Sequence, residues 1–177
     1  MRIGAPPSHG AAMNLLQRLG RGLEAGMLAG GGVAVLFFAT DVIGLVPLQT
    51  VTALAAPLLG DATVAAGTDA NWVGLAQTAA GVTLYTLLHF ATFVALGIVA
   101  SWAIPAASFW GTLGRGAIFG ALACSGAFFA GRALVGSPFL PETVGPVALM
   151  LTNVMAGLIM AAVFAVHVAG DEETSRA

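Results

Sequence analysis

Four apolar segments, at about residues 22–46, 74–101, 113–135 and 145–169, constrain this chain more than anything else in it. Each reaches the roughly 20 residues that ~30 Å of hydrocarbon requires of a helix. A segment surrounded by lipid has no water to satisfy its backbone, so it must be an α-helix or part of a closed barrel. No period-two alternation runs through these segments, which excludes the barrel. The expected fold is therefore all-α, a four-helix transmembrane bundle solvated by the lipid bilayer. Composition agrees: 58% of residues are apolar and 8% charged, where a soluble domain carries about 25% charged residues.

Orientation follows from arginine, which supplies all six cations of the lysine-free chain. With four crossings, Arg2, Arg18, Arg21, Arg115 and Arg176 fall on one side, and only Arg132 lies near the other. The positive-inside rule then gives an up-down-up-down course with both termini cytoplasmic, in the inner membrane of a cell. Trp102 and Trp110 flank the short cytoplasmic turn, and Trp72 marks the opposite interface. The turn 101–111 and the loop GSPFLPE are short, which makes segments two and three, and three and four, antiparallel neighbours.

Three regions follow. Residues 1–20 form a tail, Gly/Pro/Ser-rich over 1–12, with a short interfacial helix capped by Asn14 and running to Leu19. This tail has no continuous apolar core, so a cleavable signal peptide is not expected. Residues 21–170 form a single membrane domain, and 171–177 (DEETSRA) an acidic, solvated end. The long connection 48–71 lies outside. Its stretch TVTALAAPLLGDA is too short to span and reads as an interfacial or re-entrant helix broken near Pro57.

Within the segments, polar and small residues recur at helical spacing. Gly22, Gly26, Gly30 and Ala34 repeat every four residues, a ridge that lets two backbones approach closely. Asp41 follows Ala34 by seven and points the same way, toward protein. Thr78, Gly81, Tyr85, His89 and Thr92 share a face of the second segment, the most polar in the chain. Ser125 and Arg132 share a face of the third, and Asn153 and Gly157 a face of the fourth, with Met150, Met155 and Met160 nearby as core filler. By depth these groups form three layers. Asp41 and Arg132 lie near the outer surface. Tyr85, His89, Thr92 and Asn153 lie near the middle. Glu24 and Arg115 lie near the inner surface, solvated by snorkelling.

An unpaired intramembrane charge costs about 3 kcal/mol or more, so Asp41 and Arg132 are expected to pair. A buried ion pair that fixes helix packing is the preferred reading of them. A proton route along Asp41, His89, Tyr85 and Glu24 is the alternative. His89 is read first as a histidine bonded to a neighbouring helix. A second reading makes it the single axial ligand of a haem or chlorophyll-type pigment. A bis-histidine haem with His167 is not expected, because the two lie on the order of 10 Å apart in depth. Cys124, the single cysteine, is a small packing residue without a cationic neighbour to activate it. No cofactor or metal site is otherwise expected. No phosphate loop, HExxH, CxxC or GxSxG occurs. A net charge of −2 without a basic patch argues against nucleic acid.

The expected function is accordingly non-catalytic: a structural or accessory subunit that packs by its glycine faces with its own copies or in a larger membrane complex. A small proton-coupled transporter or channel, and a pigment- or haem-binding subunit, are the alternatives. The chain resembles a group of small four-span bacterial integral membrane proteins to which no activity is assigned. The resemblance rests on E-A-G at Glu24–Gly26, Asp41, P-L-x-T at Pro47–Thr50, L-L-G at Leu58–Gly60, Y-x-x-x-H-F at Tyr85–Phe90 and T-N-x-x-A-G at Thr152–Gly157. It spans most of residues 22–165. It implies four helices and carries over no functional residue.

Overall fold

The structure, a computed structural model, describes residues 15–45, 50, 51, 53–55, 72–105, 108–134 and 145–174. Four long helices account for nearly all of them: α1 (Leu15–Ile43), α2 (Trp72–Ala103), α3 (Phe109–Leu134) and α4 (Pro146–Thr174). Each is long and apolar enough to cross a membrane, and no strand occurs among the described residues. The chain is thus a helical protein of the multi-pass membrane type.

Helix ends are set by local chemistry. Ser108 caps α3, its hydroxyl accepting from the Gly111 N–H at 3.3 Å. Pro146 opens α4, where its missing N–H and fixed φ are harmless. α1 ends at Gly44 and Leu45, where Gly44 N–H bonds to Thr40 O and Leu45 takes φ 59°. That left-handed turn is unusual for a side chain with a Cβ.

Two ends differ from the sequence expectation. Residues 15–19 are not a separate interfacial helix but the first turns of α1, which runs unbroken through Gly20. The reason is Arg18, whose Nη1–H donates to Ser101 O at 3.0 Å and holds these turns against the end of α2. Nor is the C-terminal acidic stretch wholly outside the helix, since α4 continues to Thr174. Asn14, residues 1–12 and most of the 48–71 connection, Pro57 included, lie outside the described residues. Of that connection, Thr50, Val51 and residues 53–55 are helical, with Thr50, Leu54 and Ala55 buried.

α1 lies along both α2 and α4, and α4 lies along α3, whereas α2 meets α3 and α4 only lightly. Glycine makes two of these seams possible. A Cβ on Gly22 would sit 2.6 Å from Ile98 Cα, and one on Gly26 2.6 Å from Val94 Cα. Gly97 answers from α2, where a Cβ would sit 2.6 Å from Gly26 N. Between α3 and α4, a Cβ on Gly157 would lie 2.7 Å from Gly120 N. At these points backbone packs on backbone, the approach that drives helix association where lipid removes the hydrophobic incentive. The contacts step down α2 as they step up α1, from Gly22 opposite Ile98 to Gly30 against the Phe90 ring. Between the helices lie Ala25, Ala29, Val33, Phe93, Ala156 and Met160, with the three alanines and Met160 fully buried.

The glycine ridge does not extend to Ala34, which is exposed. Steps of four residues advance about 40° each, so Ala34 has drifted about 120° from Gly22. Asp41 does lie on the side of Ala34, yet it is buried. The chain returns over it at Thr50.

Candidate functional site: the buried polar groups

Polar side chains collect at four places, each built from a different pair of elements. At the end of α1, both carboxylate oxygens of Asp41 are taken by Thr50. Oδ2 accepts from the Thr50 backbone N–H at 2.8 Å, and Oδ1 from its hydroxyl at 2.6 Å. Thr50 is itself helical and buried, so the chain returns over the end of α1 in helical form. Asp41 therefore clasps Thr50 with both carboxylate oxygens, nine residues along the chain. The Asp41 carboxylate, expected to pair with Arg132, is instead bonded to Thr50. The two residues were matched by expected depth, but α1 packs on α2 and α4 while Arg132 sits on the last turn of α3.

The second place is the face of α2. His89 Nε2 lies 3.0 Å from Gly30 O of α1. A carbonyl only accepts, so Nε2 carries the proton and donates it. The rings of Phe93, Phe90 and Tyr85 surround the imidazole, with centroids 4.8, 5.6 and 5.8 Å away. An axial-ligand role would thus fall to Nδ1 alone. Arg132, on the last turn of α3, is buried. Thr92 does not join this group. It is exposed, and its hydroxyl donates to Leu88 O of its own helix at 2.8 Å. A threonine satisfied four residues back needs no interior partner.

The third place crosses the α3–α4 seam. Asn153, grouped by depth with Tyr85 and His89, instead donates its Nδ2–H to Ser125 Oγ at 3.1 Å. The Ser125 hydroxyl lies 3.8 Å from Met150 Sδ. Ser125 follows a single π-helical turn, Gly120–Cys124, in the middle of α3. Nothing in the composition of that stretch announces the turn. Its glycine abuts the Asn153 backbone, so the seam and the polar contact share one site. Cys124 there is buried with a free thiol.

The fourth place joins α1 to α4. Glu24 Oε2 lies 3.3 Å from His167 Nε2, both groups partly exposed. His167 Nδ1 is 2.9 Å from Val163 O and so donates to it. Arg115 does not meet Glu24; its Nη1–H donates to Pro105 O at 3.0 Å. The sequence reading weighed His167 only as a haem ligand and missed it as the partner of Glu24. Matching depths at the start of α1 and the end of α4 were the available signal.

Chemically, these contacts fasten helices to one another. Among the described residues no hydrogen bond joins Asp41 to His89, or Tyr85 to Glu24. No cluster of three or more His, Cys, Asp or Glu side chains is placed to hold a metal ion among them. Compared with known proteins, the chain matches no family model, no curated protein and no solved structure.

Proposed function

We propose that this protein is a non-catalytic structural or accessory subunit of a bacterial inner membrane. It crosses up-down-up-down, with both termini cytoplasmic. It works beside its own copies or within a larger membrane complex. Kinship with the small four-span bacterial group belongs to the same proposal.

The observation that carries it is the use made of the polar side chains. Asp41 with Thr50, His89 with Gly30, Asn153 with Ser125, Glu24 with His167 and Arg18 with Ser101 each tie two parts of the chain together. None of these contacts shares a residue with another, so they form separate staples and not a relay. The glycine faces of α1 and of the α3–α4 seam are occupied within the bundle. A partner therefore meets another surface. α2 is the least covered of the four helices, and it turns Leu84, Leu87, Leu88, Ala91, Ala95 and Val99 outward. Blue-native electrophoresis after gentle extraction tests the proposal. A species larger than the monomer is expected, shifted by Ala91→Trp or Ala95→Trp. A clean monomer with nothing copurifying refutes it.

A further inference from the structure

The turn from α2 to α3 gathers cations from two separate helices. Arg18, on the first turns of α1, donates to Ser101 O at 3.0 Å. Arg115, on the second turn of α3, donates to Pro105 O at 3.0 Å. Those carbonyls are four residues apart, one in the last turn of α2 and the other just past its end. Two guanidinium groups are thus tethered to one short stretch of backbone. Each has five N–H donors, and the carbonyl bond uses one. Arg115 is exposed and Arg18 half-buried. Around them Trp102, Phe109 and Trp110 are exposed, Trp110 to 78%. Indole rings settle where hydrocarbon meets water, with the ring in the apolar phase and the N–H outside. The nearest carboxylate on α1 along the sequence, Glu24, lies beside His167.

We propose that this turn binds the headgroup of an anionic phospholipid. Arg18 and Arg115 face the phosphate, and Trp102 and Trp110 lie along the glycerol and upper acyl chains. Guanidinium suits the occupant because its planar fork offers two parallel N–H bonds to phosphate oxygens. Two cations at one site favour a lipid with net negative charge over a zwitterion, whose own cation they repel. The inference rests on the chain being embedded in a membrane, and not on its role as a subunit.

The test is lipid retention. Detergent-purified protein is equilibrated with mixed micelles of equal phosphatidylglycerol and phosphatidylcholine, and bound lipid is counted by native mass spectrometry. Phosphatidylglycerol is expected to be retained preferentially. Arg115→Gln and Arg18→Gln should each reduce that preference about fivefold, the worth of one arginine at an anionic surface. Arg176→Gln makes the same change in formal charge and should leave the preference intact. Equal retention of the two lipids by the unaltered protein overturns the proposal, as does an equal loss in Arg176→Gln. If Arg18→Gln fails to elute as a folded species, exposed Arg115 carries the test alone. A negative result from protein that still requires detergent removes the lipid site and leaves the subunit reading standing.

Discussion

A single methyl group added at Gly157 should separate α3 from α4, while the same group at Gly126 should not. A Cβ at Gly157 would lie 2.7 Å from Gly120 N and 2.8 Å from Gly120 Cα, and ordinary Cβ contacts begin at 3.4 Å. The two backbones must therefore part by at least about 0.7 Å at that point, and further to clear Gly116 O, which the added Cβ would meet closer still, since all three colliding atoms are main chain. A gap of that size forfeits roughly a quarter to a half of the dispersion attraction along the seam. Overpacking of this kind costs about 1–3 kcal/mol. Alanine is also the better helix former by up to ~1 kcal/mol, but that gain is common to both sites and cancels in the comparison. Around Gly126 nothing lies within 4 Å. Gly157→Ala should accordingly be less stable than Gly126→Ala by about 1–3 kcal/mol. Unfolding in mixed micelles of increasing dodecyl sulfate content, followed by circular dichroism, measures the difference. If the two variants unfold within ~0.5 kcal/mol of each other, the close backbone seam is wrong.

Three further outcomes follow from single contacts. Thr50→Val keeps the backbone N–H bond to Asp41 but strips Oδ1 of its donor, and should cost about 1.5–3 kcal/mol in the same unfolding assay. Ser125→Ala removes the acceptor of Asn153 across the α3–α4 seam. A cost of about 0.6 kcal/mol, and no more than ~1.7, is expected from the usual strength of such bonds in bilayers. Leu45→Gly relieves the positive φ at the end of α1 and should stabilise the protein by about 1 kcal/mol; destabilisation would mean that the Leu45 side chain is needed there.

Four apolar helices were legible because length and hydropathy decide what can cross hydrocarbon, whatever each helix touches. Lateral order around a bundle leaves no such mark. Asp41 and Arg132 matched in sign and depth, but pairing also needs adjacent helices, and α1 faces α2 and α4. The bonds from Thr50 to Asp41 were hidden for the opposite reason, since they depend on a return of the chain only nine residues on. Thr92 misled because its helical spacing from His89 is right while its hydroxyl is already satisfied by Leu88 O. Residues 15–19 were set apart from the span because the tail lacks a continuous apolar core, yet Arg18 bonds to Ser101 O and these residues continue into α1. Spacing of four suggested a ridge from Gly22 to Ala34, and the helical drift of 40° per step ended it at Gly30.

The most direct test is a nitroxide scan of residues 23–38 on α1, one cysteine at a time in a Cys124→Ala background reconstituted in bilayers. Collisions with oxygen report lipid exposure, and collisions with a water-soluble nickel complex report aqueous exposure. Oxygen access is predicted to be high at Met27, Leu28, Val35 and Phe38 and low at Ala25, Ala29 and Val33, with nickel access low through the middle of the helix. Strong nickel access at Ala29 or Val33, or oxygen access without a helical period, would contradict a lipid-embedded α1 seated against α2 and α4.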